Sequence, residues 1–271
     1  MFRSPGPIAL AFRVPIEVPL VGGLAFSIRW YGILIASAMA LGLWLAAREA
    51  TRRGERSDDL LRAAELALIG GLVGARLYYV LFNLDYYESQ PWWRTFAVWE
   101  GGLAIHGGLI AGLLAGGAYL WVKHLPVLTY LDIVAPSLPL GQAIGRWGNF
   151  FNEEAFGGPT DLPWKLYISE PRRPPGLVDH QFFHPTFLYE SLWDLGVFLI
   201  LYLALRRRLE RAPGTLFLCY LGLYSLGRLW VEGLRTDSLM LGPLRVAQLV
   251  SVAAIAVAVI GIPVLLRRRP T

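Results

Sequence analysis

The stretch GRLWVEGLR, residues 227–235, sets Arg228, Glu232 and Arg235 at i, i+4 and i+7 in an otherwise apolar run. On a helix this spacing brings all three within about 60° of one face. A second stretch, GQAIGRWGNFFNEEAFGG at 141–158, closes another apolar run with Arg146, Asn149, Glu153 and Glu154. Guanidinium groups in apolar surroundings grip phosphate oxygens bidentately, so Arg146, Arg228, Arg235 and Arg76 read as an anion site with surplus positive charge. His106, in GGLAIHGGLIAGLLAGG, adds a group whose reference pKa of ~6.5 suits proton transfer near neutrality. The competing readings are an internal ion pair for Glu232 and an interhelical hydrogen bond for His106.

These groups need a scaffold, and the composition defines its class. Of 271 residues, 55% are hydrophobic and only 17% charged, and the mean hydropathy is +0.47, against roughly 25% charged residues in soluble domains. The chain therefore reads as an all-α integral membrane protein. Apolar windows near the ~20 residues needed to cross a bilayer fall at 28–47, 61–83, 102–122, 128–151, 185–205, 214–234 and 246–266. Seven transmembrane helices follow, the fourth broken or kinked at Pro136 and Pro139.

Arginine placement orients them. REATRRGER follows the first span, Lys123 the third, RRRLER the fifth and Arg267–Arg269 the seventh, so that face is cytoplasmic and the carboxyl terminus lies on it. The opposite, periplasmic face receives an amino-terminal arm over 1–27 and a proline-rich cap over 152–184. Spans one to four occupy 28–151 and spans five to seven 185–271. Residues 1–27 do not read as a cleavable signal, because Arg13, Pro15, Glu17 and Pro19 interrupt any apolar core.

With this topology the polar residues sort by depth. Tyr31, Arg76, His106, Arg146, Asn149, His184, Tyr189, Glu190, Arg228, Glu232 and Arg235 all fall in the outer half of their spans, from zero to about 12 Å below the interface at 1.5 Å per residue. Interfacial snorkelling explains any one of them; together they predict one polar cavity toward the outer leaflet. No HExxH, Gly-x-Ser-x-Gly, P-loop or dinucleotide fingerprint is present, and the carboxylates are scattered. Metalloprotease, covalent serine, metal and nucleotide chemistry thus gain no support, nor does nucleic-acid binding. Cys219 is the single cysteine and reads as a buried, inert thiol. A lipid or anion transporter with an arginine-lined cavity is the rival to an enzyme; it predicts polar residues continuing inward, where Asp132 alone stands out.

At this point the motifs resemble those of the bacterial prolipoprotein diacylglyceryl transferase family. GRWGNFFNEEAFG at 145–157 is similar to its long signature, supported by WYG at 30–32, GARLYYVLF at 74–82, WEGGLAIHGG at 99–108, HPTFLYE at 184–190 and GRLWVEGLR. The resemblance implies an enzyme of the bacterial inner membrane, with no cofactor. It implies transfer of the diacylglyceryl group of phosphatidylglycerol to the lipobox cysteine of a prolipoprotein signal peptide, with release of glycerol 1-phosphate. It implies catalytic roles for Tyr31, His106, Arg146 and Arg228. Substrate contacts are expected from Asn149, Glu154, Gly157, Glu232, Arg235, Arg76 and Tyr189. Glu153 stands where relatives often carry glycine, and Glu154 is the acid expected to serve the site.

Overall fold

The computed structural model describes residues 1–18 and 22–267; Pro19, Arg268 and Arg269 lie outside them. In chain order come β1 (Phe2–Arg3), β2 (Ile8–Val18), β3 (Gly22–Arg29), α1 (Trp30–Arg52), α2 (Ser57–Leu81), α3 (Leu84–Glu88), α4 (Ile105–Val122), α5 (Val127–Val134) and α6 (Ser137–Asn152). There follow β4 (Leu166–Tyr167), β5 (Phe182–Phe183), α7 (Thr186–Leu199), α8 (Thr215–Leu234), β6 (Met240–Leu241), β7 (Leu244–Arg245) and α9 (Val246–Arg267). Each predicted span window contains one or two of these helices. Six are long and apolar enough to cross a bilayer: α1, α2, α4, α5 with α6, α7 with its extension to Leu205, and α9. The other, α8, has 20 residues and carries Arg228 and Glu232.

The fourth window breaks at Ala135–Pro136, as its prolines predict, leaving α5 and α6 as separate helices. The third starts later than predicted, because Gly101 and Gly102 adopt φ of +87° and +72° and form a turn before α4. The fifth continues past α7 as a π-helical stretch, Ile200–Leu205, for which the sequence offers no signal.

The chain forms two compact units, Leu43–Ile133 and Met1–Gly42 with Val134–Thr271. In the first, α2 and α4 pack backbone to backbone. A Cβ added to Gly74 would stand 2.2 Å from Ala111 Cβ, and one on Gly107 would stand 2.4 Å from Gly74 O. Gly112 and Gly116 extend the seam against Ala67 and Ala63. Small residues on both helices thus let their backbones approach closely, as they do where membrane helices pack.

In the second unit, β2 and β3 form an antiparallel hairpin where the sequence predicted an interfacial or extended arm. The cap is built on a three-stranded sheet ordered β1-β4-β5, with β1 parallel to β4 (Phe2 opposite Leu166) and β5 antiparallel to it. Beneath this sheet Phe150, Phe156, Leu166, Ile168, Phe183 and Phe187 make one apolar cluster, to which Phe2 also packs. The end of α6, the cap and the start of α7 therefore share a core. A second cluster, with Val197, Leu201, Leu216 and Tyr220, joins α7 and its π-helical extension to α8.

Candidate active site

Four pieces of the second unit converge: the end of α6, the turn after it, the start of α7 and the end of α8. Trp147 Nε1 donates to Ser191 Oγ at 3.2 Å, and Ser191 Oγ donates to the Ala143 carbonyl at 2.9 Å. This pair locks the register of α6 against α7 and commits Ser191 to structure. Gly227 lies under the Trp193 indole, where an added Cβ would come within 2.2 Å of the ring, so α8 approaches α7 closely.

The registers meet at Glu190, buried on α7. One of its oxygens pairs with Arg146 Nε from α6, and the other accepts a 2.6 Å hydrogen bond from Arg228 Nη1 of α8. Arg228 Nη2 also makes an ion pair of 2.6 Å with Glu232, and Arg235 Nη1 stands 3.8 Å from Glu190. Arg235 donates two bonds to Asp237, at 2.9 and 2.8 Å.

The expected surplus of positive charge is therefore corrected. Arg146, Arg228 and Arg235 face Glu190, Glu232 and Asp237, and residue type alone does not show that Glu190 and Asp237 meet these arginines. What remains is a layered charge. The acids are deeper, with side chains 6% and 2% exposed for Glu190 and Glu232, against 20% for Arg146 and 19% for Arg228. Neither Nη group of Arg146 has an acceptor among the described residues. An approaching anion meets an open guanidinium fork first, with its counter-charge behind it.

One helical turn inward on the same three helices lie Gln142, Asp194 and Tyr224. Tyr220 donates to Gln142 at 3.3 Å, and Asp194 Oδ2 is buried without a partner. The inner halves are thus less apolar than their residue runs suggest, because these residues sit singly in apolar runs and align only once the helices pack.

The signature stretch can now be read atom by atom. Glu153 caps α6 in the left-handed region at φ 52°, and Ala155 follows at φ 57°. The turn sends the two adjacent acids to different places. Glu153 accepts from Ser169 N at 3.0 Å and from Ser169 Oγ inside the cap. Glu154 instead accepts from Asn149 Nδ2 at 3.0 Å and Asn152 Nδ2 at 3.1 Å, beside Arg146 on α6. Glycine at 153 would relieve a left-handed strain of about 1 kcal/mol, so Glu153→Gly is expected to hold activity within about twofold and to shift thermal unfolding only slightly. A large loss of product formation would show that the Ser169 contact matters more than the backbone.

Gly148 gives the Tyr31 ring its seat, since a Cβ there would stand 2.3 Å from Tyr31 Cδ2. Tyr31 itself is exposed, at the second position of α1. Gly157 lies where three chain segments cross. Its N–H donates to His184 O at 3.0 Å, Gly158 N donates to Leu234 O at 2.9 Å, and His184 N donates to Gly158 O at 2.9 Å. Tyr189 OH accepts from Trp164 Nε1 of the cap at 3.0 Å and stands 3.3 Å from His184 Nδ1.

Arg76 and His106 belong to the other unit. His106 is exposed at the second position of α4, its ring 6.3 Å from that of Tyr78. Arg76, expected to join an anion site, is buried and spends its donors on backbone carbonyls: Thr95 at 2.8 Å, Gly101 at 2.6 Å, Gly102 at 3.2 Å, and Arg94. Its sequence context cannot show this, because carbonyl acceptors leave no trace in residue type. Among the described residues no group of three or more His, Cys, Asp or Glu is arranged to hold a metal ion.

Comparison with known proteins bears on the whole chain. Residues 19–264 match the profile described as prolipoprotein diacylglyceryl transferase. A protein of Nostoc sp. named phosphatidylglycerol–prolipoprotein diacylglyceryl transferase is 52% identical over all of this chain and 93% of its own length. Similarly named proteins of Gloeobacter violaceus, 47% identical over 98% of this chain and 95% of their own, and of Thermotoga petrophila, 48% over 90% and 83%, extend the likeness beyond one lineage. On this likeness, which covers most of its length, the chain belongs to the prolipoprotein diacylglyceryl transferase family.

Proposed function

We propose that the protein transfers the diacylglyceryl group of phosphatidylglycerol to the thiol of a lipobox cysteine in a prolipoprotein signal peptide. The observation that carries this reading is the open fork of Arg146, backed by buried Glu190 and flanked by Arg228. The relatives' names supply the two substrates. The active site faces the outer leaflet of the bacterial inner membrane, with the amino terminus outside and the carboxyl terminus in the cytoplasm. The lipid is a substrate, and the reaction needs no cofactor.

In the reaction the cysteine sulfur attacks the glycerol carbon that bears the phosphate. The C–S bond forms, the C–O bond breaks, and the phosphate leaves on the second glycerol as glycerol 1-phosphate. Arg146 and Arg228 hold the phosphate as its charge grows, where preorganised donors act most strongly. The thiol, with a reference pKa of ~8.5, must lose its proton, and His106 takes it, with Tyr31 orienting the incoming groups. Asn149 and Glu154 hold the headgroup side of the site, Glu232 and Arg235 hold Arg228 and Glu190 in place, and Tyr189 with Gly157 keeps the cap against α7.

Purified protein, phosphatidylglycerol vesicles and a lipobox peptide should yield a thioether-linked product detectable by mass spectrometry. A Cys→Ser peptide modified equally well would overturn the thiol mechanism. His106→Ala is expected to lower turnover by about 10²-fold at unchanged protein level. Near-normal turnover would remove His106 from the proton-accepting role.

A further inference from the structure

We propose that Arg76 is a positioning residue for the transfer reaction: it fixes the Gly101–Gly102 turn from which α4 starts, and through that turn it sets the place of His106. The inference rests on the reading of His106 as proton acceptor.

The guanidinium is buried on α2 and makes four hydrogen bonds, all to carbonyls of residues 94–102. Four of its five N–H donors are thus engaged, which leaves no bidentate fork for a phosphate. The same group lies over the Tyr87 ring, 5.4 Å from its centre, so α3 is held as well. Lysine offers a single point of donation and cannot span acceptors at Thr95 and Gly101 together.

The turn is held from its other side too. Gly102 is left-handed, at φ +72°, and a Cβ on it would come within 2.7 Å of Tyr79 Cε1 and 2.8 Å of Arg76 Nη1. Two residues later Ala104 N donates to Ala75 O at 3.0 Å, the carbonyl next to Arg76 on the chain. His106 follows in the first turn of α4, and the next residue, Gly107, rests on Tyr78, where an added Cβ would stand 2.2 Å from Tyr78 Cβ. From Gly102 to Gly107 the backbone has contacts to α2 at both ends. A shift of the turn has to be passed on to the imidazole.

The test uses two full-length variants that disturb the same contact from opposite sides, Arg76→Gln and Gly102→Ala, in phosphatidylglycerol vesicles with a lipobox peptide. Displacing a reacting group by about 1 Å costs up to about 10²-fold, so both variants are expected to lower kcat by about 10- to 100-fold with KM for phosphatidylglycerol within about twofold. The double variant should be no worse than the poorer single one, because both act on one turn. A raised KM with preserved kcat in Arg76→Gln would make Arg76 a lipid ligand and overturn the proposal. So would a Gly102→Ala protein with unaltered kcat.

A readout independent of turnover separates this proposal from the His106 assignment. The rate at which diethyl pyrocarbonate modifies His106, followed by peptide mass mapping, is expected to change by about threefold or more in both variants, as the ring's surroundings shift. If His106→Ala proves active while this rate still changes, the proton-acceptor reading fails and the positioning stands. An unchanged modification rate in both variants overturns the positioning itself.

Discussion

Glu190→Ala is expected to reduce transfer by about 10³-fold or more and to lower the thermal stability of the purified protein. Its two oxygens serve Arg146 from α6 and Arg228 from α8, so one side chain on α7 holds three helices in charge register. Removing one partner from a buried ionic network leaves uncompensated charge, at a cost of about 3 to 5 kcal/mol. At about 1.4 kcal/mol per factor of ten, a loss of that size in the transition state alone gives roughly 10²- to 10³-fold or more. The two guanidiniums would also repel each other and leave the geometry in which they share a phosphate. Glu190→Gln keeps the shape and one acceptor but turns an NH2 toward the other arginine, so its rate should fall between the two. Initial rates of thioether formation and melting in detergent check both; wild-type turnover in Glu190→Ala would show that the arginines keep their places without it.

Gly157→Val should be nearly as severe, about 10²- to 10³-fold, by steric rather than electrostatic means. Its Cβ would stand 2.7 Å from His184 Cβ and 3.0 Å from Leu234 O, with the Thr186 methyl at 3.2 Å. Two of those contacts belong to backbone or to an atom one bond from it, so no flexible side chain can give way. Overpacking of this kind costs about 1 to 3 kcal/mol in stability, and the crossing that yields carries His184, six residues before Glu190, and Leu234, next to Arg235. Gly157→Ala should show a smaller loss of the same kind. If Gly157→Val kept its rate while melting lower, the crossing would matter for folding and not for the site.

Much of this arrangement could be read from residue types. Apolar windows located the helices, Pro136 marked the break in the fourth, and Arg228 with Glu232 announced a face on α8. The spacing of Arg146 and Asn149 put them on the same end of α6. What escaped reading depends on partners distant in sequence. Glu190 looks like an ordinary acid at a span boundary until α6 and α8 are packed against α7. Arg76 looks like a ligand because its true acceptors are carbonyls, which every residue has. The enrolment of Phe2–Arg3 in the cap sheet rests on two residues, too few to carry a pattern. Glu153 and Glu154 are adjacent and chemically alike; only the left-handed turn at φ 52° separates them.

The parallel pairing of β1 with β4 has a consequence for how the molecule is made. Phe2 leaves the ribosome more than 160 residues before Leu166, and α1 to α6 are synthesised between them. The earliest strand must therefore wait, unpaired, until most of the helices have been inserted. Such a contact is of high order and slow to close. Cap assembly then becomes a late event in biogenesis, and it acts on the same turn that sends Glu154 toward Asn149. A chain halted before residue 166 would have its first helices in place and no finished cap sheet.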